Sequence, residues 1–322
     1  MARRAGVSHM TVSRVLNDHP SLRETTRTRV LQAIDEMDYT PSSIARALVT
    51  RRFRRIGVLV DGFAESGPNS TLRALERAAR GAGYAVSAIS IDDDSLQLDT
   101  RVRELVGQGV DALCVVAPRA SSLQLLHQRV SGLPLVVMSA AADAAVHTVG
   151  VDQREGARLC VQHLIDLGHR SIAHATGPLD CVDARERERG WRECLAEAGL
   201  TPGPFGAGDW TADFGFAFGR SSGVNGATAV FAANDRIALG VIHGLHSRGV
   251  RVPQDVSVVG FDDMPDARHF LPPLTTVQQD FVALGERALQ RIIAAVEGEA
   301  QPGHDRIAPQ LVVRASTAPF EG

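Results

Sequence analysis

The chain has 322 residues, 44% of them hydrophobic and 22% charged, with a net charge of −3. That length suits two or three domains, and the composition is that of an ordinary globular protein, not a disordered or fibrous one. No run reaches the ~20 apolar residues of a membrane span, and the start, Met1-Ala2-Arg3-Arg4, lacks the apolar core of a secretion signal.

Lysine is absent, so all 34 basic residues are Arg. They are unevenly spread: residues 1–55 carry 11 Arg against 5 Asp and Glu, the remainder 23 against 32. A basic head on an acidic body points to a polyanionic partner for the head alone, a solvated basic arm being the alternative. Cys114, Cys160, Cys181 and Cys194 form no CxxC pair. Inert thiols in a reducing cytoplasm are therefore expected, with no disulfide, metal site or cofactor.

Ala2 to Ala5 reads as the end of a helix stopped by Gly6, which tolerates a left-handed backbone. Ser8 caps a second helix, His9 to Leu16, with Val12, Val15 and Leu16 on one face and His9, Met10, Ser13 and Arg14 on the other. Asn17 closes it. Ser21 and Glu24 have capping-box spacing, and Val30, Leu31, Ile34 and Met37 follow at helical spacing. Helix, tight turn, helix and supporting helix make a helix-turn-helix head, whose second helix lies in the major groove.

The stretches "AGVSHMTVSRVLN" and "TRTRVLQAIDEMDYTPSSIARAL" closely resemble the headpiece and hinge of the lac repressor family of transcriptional regulators. The resemblance implies that His9, Met10 and Arg14 read bases, while Ser8, Thr11, Ser13 and Asn17 hold the DNA backbone. Arg14 has the reach for a guanine edge, and short hydroxyls suit phosphates. It further implies a hinge helix capped by Ser42 and bearing Ala45 and Leu48, the leucine wedging into the minor groove of operator DNA. A disordered linker is the alternative for these residues without DNA. Family members carry about a turn and a half of helix ahead of Met1, so the true start is expected upstream.

Beyond the Arg-rich run, apolar strands alternate with helical segments: Ile56–Val60, Ala85–Ile91, Ala112–Val116, Leu135–Ser139, Ser171–Thr176, Ala227–Ala233 and Val256–Phe261. Continuous apolar strands indicate parallel sheets covered on both faces. The expected fold is thus an all-α head (residues 1–40), a hinge (41–55) and an α/β core (56–322). The core resembles the clamshell of periplasmic sugar-binding proteins, with two doubly wound parallel-sheet subdomains. One spans about 56–151 plus 281–308, the other about 152–280 plus 309–318, with crossovers near Val149–Asp152 and Leu274–Gln279.

Ligands of such sheets bind at the carboxyl ends of the strands. "ARERERGW", "GDWTADFGF", "AANDRIALG", "VGFDDMPDA" and "PPLTTVQQDF" follow the family in order. The resemblance implies a sugar site built from Asp61, Ser139, Asp183, Arg187, Trp210, Asn234, Asp262 and Phe281. Arg187 offers a planar fork of donors, Asn234 a donor and an acceptor, Asp262 an acceptor, and Trp210 and Phe281 apolar faces. Each has a plainer alternative: a surface arginine, a capping asparagine, a turn aspartate, a core aromatic. Ser139 stands where a family member has an acidic sugar contact, and Asp183 where it has a serine, so a carboxylate has shifted within the pocket.

Other signals are weaker. "GRSSG" (Gly219 to Gly223) has nucleophile-elbow spacing but follows a helix-like stretch, so no enzyme is expected. "GAGYAV" lies between helix and strand, the reverse of a dinucleotide loop. His243 and His246 share a helix face without a paired carboxylate, and "IDDDS" reads as a solvated loop. The expected protein is a cytoplasmic bacterial repressor, nucleoid-associated when bound. It acts as a homodimer on a pseudo-palindromic operator, away from membranes, and a small sugar or glycoside switches it. The family's tetramers rest on a further heptad helix, and the final "STAPFEG" shows no such repeat, which favours the dimer. A sugar-uptake protein and a hydrolase are the competing readings.

Overall fold

The computed structural model describes residues 1–16, 22–37, 52–62, 65–91, 98–117, 119–120, 122, 126, 132–140, 146–299 and 301–320. Asn17, Ser21, Ser42, Ala45, Leu48 and most of "IDDDS" lie outside them. The chain divides into two units, Met1–Arg54 and Arg55–Gly322.

In the first unit, α1 (Ala2–Ala5) ends at Gly6 with φ 62°, the left-handed backbone that ends a helix. Then α2 (His9–Leu16) starts with the Thr11 amide donating to Ser8 Oγ at 3.1 Å. The third helix, α3 (Glu24–Glu36), has no side-chain cap at Arg23. It begins only at Glu24, so that glutamate opens the helix and does not occupy the third position a capping box requires. Ala2, Ala5, Val12, Val15, Val30 and Ala33 form a small core. Arg29 donates to the Gly6 carbonyl at 3.1 Å and Arg4 pairs with Glu36 at 3.0 Å, tying the helices together. Leu31 and Met37, expected inside, are about half exposed. Two short helices cover only one side of α3, too narrow a cover for its whole apolar spacing.

In the second unit, the first sheet is parallel throughout, in the order β11–β5–β4–β3–β1–β2. Its strands are β1 (Arg55–Asp61), β2 (Ala85–Ile91), β3 (Ala112–Val116), β4 (Leu135–Met138), β5 (His147–Val151) and β11 (His304–Ile307). Strand residues alternate between two buried faces. Ile56, Val58 and Val60 meet Leu72 and Leu75 of α4 (Ser66–Gly81) and Leu284, Ala288 and Ile292 of α10 (Phe281–Val296). Leu59, Leu113 and Val115 meet Leu98, Val102 and Leu105 of α5 (Leu98–Gly107) on the opposite side.

The second sheet runs β12–β10–β9–β8–β6–β7. It comprises β6 (Ile172–Thr176), β7 (Phe205–Ala207), β8 (Ala229–Ala232), β9 (Ser257–Asp262), β10 (Thr275–Gln278) and β12 (Gln310–Val312). One face buries Trp191 and Cys194 of α7 (Val182–Glu197) and Cys160 and Leu164 of α6 (Gln153–Asp166). The other packs Phe218 of α8 (Ala212–Arg220) with Ile237, Val241 and Leu245 of α9 (Asp235–His246). Helices α8 and α9 touch backbone to backbone: a Cβ on Gly240 would lie 2.0 Å from the Ala212 carbonyl oxygen. Strand β12 pairs antiparallel with β10, so this sheet is not parallel throughout. The short link through Pro309 carries the chain from β11 of the first sheet directly into β12 of the second, which therefore runs away from the end where β10 and its parallel neighbours finish.

Candidate functional site

Strands from both sheets end at one cleft of about 660 Å³. Asp61 closes β1, Ala117 follows β3 and Ser139 follows β4; opposite them, Asp209 follows β7, Asn234 follows β8 and Asp262 closes β9. The carboxyl ends of parallel strands are where such sheets leave room for ligands. All eight residues expected to meet a ligand (Asp61, Ser139, Asp183, Arg187, Trp210, Asn234, Asp262 and Phe281) line this cleft.

Arg187 arises from the "RERER" run. Helical spacing places Ala184, Arg187, Trp191 and Cys194 on the buried stripe of α7. Its neighbours pair among themselves, Arg189 with Glu186 at 3.1 Å and Arg192 with Glu188. Arg187 is only 5% exposed, and its guanidinium stacks 3.8 Å from the Phe261 ring centre. It donates to Gln153 Oε1 at 2.8 Å and to the Ala233 carbonyl, and lies 3.6 Å from Asp262 Oδ1. A ring then closes: Gln153 donates to Gln279 Oε1 at 3.0 Å, and Gln279 donates to Asp262 Oδ1 at 2.6 Å. Both glutamines sit beside crossings between the sheets, and neither was expected from the sequence.

Asp262 adopts φ 108°, a strained backbone for any residue but glycine and one that clusters at functional sites. Arg314 and Gln278 hold the next residue, Asp263, at 2.6 and 3.0 Å, and the Met264 amide donates to Asp235 at 2.7 Å. Burial drives the Asp262 carboxyl up to about 6; Arg187 and Gln279 oppose this, while Asp183 and Glu65 add to it. Asp235, buried beneath the cleft, is pushed well above the usual carboxylate range, also by burial.

The other walls cross-link the halves. Arg119 lies 3.5 Å from Asp61 and 3.7 Å from Asp180, and its amide donates to Asp61 at 3.1 Å. Asp183 Oδ1 accepts from the Ala140 amide at 3.1 Å and from Ser139 Oγ at 3.4 Å, so the two exchanged positions touch each other. Asn234 accepts from the Ile237 amide at 2.7 Å and donates to the Trp210 carbonyl at 3.3 Å. It therefore caps α9 as well as lining the cleft. Trp210 lies flat against Gly177, where a Cβ would come within 2.6 Å of the ring. Glu65, Arg119, Asp180 and Asp209 also line the cleft and were not expected there. Only Asp209 carried a usable sign, its place beside Trp210.

On α2 of the head, His9, Met10 and Arg14 are exposed, Met10 by 68%, while Val12 and Val15 face the core. Ser8 and Thr11 share a 2.9 Å hydrogen bond at the start of the helix. Elsewhere, "GRSSG" forms the end of α8 and a 3-10 turn, and Ser221 Oγ donates to the Phe218 carbonyl at 2.8 Å. All four cysteines are free thiols, and burial raises Cys114 to about 12 and Cys181 and Cys194 to about 11. No described helix is long and apolar enough to cross a membrane.

Residues 1–42 match the model of bacterial regulatory proteins of the lacI family, and residues 161–317 that of the periplasmic binding protein-like domain. The lactose operon repressor of Escherichia coli K12 is 32% identical over 98% of this chain and 89% of its own length. The ribose operon repressor of the same strain is 33% identical over 98% of both chains. A crystal structure of the lac repressor dimer bound to operator and the anti-inducer ONPF superposes with a TM-score of 0.89 at 32% identity, covering 98% of this chain and 97% of that one.

Proposed function

The chain belongs to the lacI family of bacterial regulatory proteins, and from that premise we propose how it works. It is a transcriptional repressor, not an enzyme. A homodimer in the bacterial cytoplasm binds a pseudo-palindromic operator. His9, Met10 and Arg14 read base edges, while Ser8, Thr11, Ser13 and Asn17 hold the backbone. Ser42, Ala45 and Leu48 act at the hinge, with Leu48 as the minor-groove wedge. A small sugar or glycoside occupies the core cleft, against Arg187, Asp262, Asn234, Asp61, Asp183 and Ser139, with Trp210 and Phe281 on its apolar face.

The convergence of side chains from both sheets on one cleft carries this reading. Arg187 and Asp262 are buried and hydrogen-bonded, Asp262 on a strained backbone, yet both face open volume. A ligand that contacts both halves changes their mutual geometry, and by linkage DNA weakens or strengthens ligand binding by the same factor. Selection of duplexes from a random pool, followed by gel shifts with a sugar panel, tests it. Recovery of a two-fold symmetric site whose affinity changes with one sugar is expected. Failure to enrich any sequence at physiological salt would refute it.

A further inference from the structure

Asp262 closes β9 with φ 108°, and Asp263 follows it with φ 52°. Two successive residues with side chains in this region are uncommon, and such strain persists only where the surroundings over-determine it. On the cleft side, Asp262 is met by Gln279 at 2.6 Å and by Arg187 at 3.6 Å. An effector that draws on the Asp262 carboxylate competes with both, so the bend needs a hold that the effector does not reach.

That hold lies on the other side of the turn. Arg314 donates to Asp263 Oδ1 at 2.6 Å, Gln278 donates to Asp263 Oδ2 at 3.0 Å, and the Met264 amide donates to Asp235 Oδ2 at 2.7 Å. Asp263 and Arg314 are shielded from water, their side chains 11% and 18% exposed. Asp263, Gln278 and Arg314 are not among the described residues that line the cleft. Arg314 is itself fixed: its side chain donates to the Leu274 carbonyl at 2.8 Å and its amide to Thr275 Oγ1 at 2.9 Å.

A plainer role for this ion pair would be to tie β12 and the residues after it to the sheet. Ser316 already does that. Its Oγ donates to the Val258 carbonyl at 2.6 Å and accepts from the Thr275 amide at 2.7 Å, and its carbonyl accepts from the Val258 amide at 2.8 Å. The ladder between β10 and β12 adds to the anchorage. What the Asp263–Arg314 pair supplies in addition is a bent strand end: with Asp263 drawn back onto Arg314, Asp262 is left facing the cleft.

We propose that Asp263, with Arg314 as its counter-ion, is a positioning residue for the effector: it holds the end of β9 in the strained form that presents the Asp262 carboxylate to a sugar hydroxyl. This rests on the reading of the cleft as the effector site. A hydrogen bond depends on direction as well as distance. A relaxed strand end, with Asp262 at negative φ, therefore loses the contact although Asp262 itself is intact.

The test uses the full chain and calorimetric titration with a panel of aldopentoses, aldohexoses, their methyl glycosides and α- and β-linked disaccharides. The sugar that the parent binds most tightly is then carried through the variants, with melting temperatures recorded for each. Asp263→Ala removes both grips on the turn and Arg314→Met the charged one, while Arg314→Lys keeps the charge. Ser316→Ala is the control, because it loosens the anchorage and leaves the turn alone. Affinity should fall at least tenfold in Asp263→Ala and in Arg314→Met, and Arg314→Lys should recover most of the loss. Ser316→Ala should melt lower than the parent yet bind the sugar within twofold of it. In sugar-free crystals of Asp263→Ala, residue 262 should leave φ 108° for a negative value. A smaller loss in either of the first two variants, no recovery with lysine, an equal loss in Ser316→Ala, or a crystal that keeps residue 262 at positive φ overturns the proposal and leaves the reading of the cleft standing. A parent that binds no member of the panel overturns both.

Discussion

Arg187→Met removes a guanidinium while keeping much of its volume, and the structure sets the size of the result. Gln153 Oε1 and the Ala233 carbonyl lose a donor, and Asp262 loses its counter-ion while keeping the hydrogen bond from Gln279. A buried acceptor left unsatisfied costs about 1–3 kcal/mol, and a broken buried ion pair about 3–5 kcal/mol. These costs overlap, because Asp262, already raised to about 6, will protonate instead of staying charged and alone. A net loss of about 3–4 kcal/mol at pH 7.5 follows, or roughly 6–16 °C in melting temperature for a core of this size. Protonation becomes easier on acidification, so the loss should be smaller at pH 5. Adding Asp262→Asn should recover part of it by removing the stranded carboxylate. Effector affinity should fall at least tenfold in the single variant. Calorimetric melting at both pH values, with ligand titration of the folded protein, measures all of this. A melting temperature within a degree of the parent at pH 7.5, or an Asp262→Asn step that only adds further loss, would refute the role given to the pair.

Four further outcomes are expected. The Asp262 carboxyl, raised in the fold from 3.8 to about 6, costs stability in full above pH 6, and the cost fades as pH falls toward 4. Moving from pH 7 to pH 5 should therefore stabilise the parent relative to Asp262→Asn by roughly 1.4 kcal/mol, read from paired denaturant melts. Ser8→Ala removes the acceptor for the Thr11 amide and should lower head stability by about 1 kcal/mol, seen as faster amide exchange over residues 9–16. Gly177→Ala sets a Cβ against the Trp210 ring; effector affinity should drop, with operator affinity in its absence unchanged in gel shifts. Arg14→Ala should cost about 1–3 kcal/mol at the operator and relax one base preference in a repeated selection.

The sequence was most legible where burial is two-sided. Strands β1, β3, β8 and β9 are continuous apolar runs because helices cover both faces. Strands β7, β11 and β12 lie at sheet edges with alternate residues partly exposed, and His304 to Ile307 offers no apolar run to notice. In the head, spacing alone could not show that Leu31 and Met37 would stay outside, because that depends on how much of α3 its neighbours reach. At the cleft, Arg187 and Asp262 stood out through the resemblance. Gln153 and Gln279 did not, since a glutamine beside a crossing looks like any polar link until the fold brings the two together. Glu65 and Asp180 were likewise hidden, since they reach the cleft only because strand ends from both sheets converge there.

The way the first sheet is assembled bears on how the protein is made. Strand β11 pairs with β5, and α10 covers the face formed by β1 and β3, so residues 281–307 are needed before that sheet is whole. The helices of the head, by contrast, are complete once Glu36 has been added. At about 5–20 residues per second, roughly 15–50 s of synthesis separate the two events. During that interval a nascent chain carries its DNA-reading helices without a finished effector cleft. The β1–β3 surface awaiting α10 is then the part most in need of a chaperone, and truncations short of residue 307 should aggregate through it instead of yielding a smaller, ligand-blind regulator.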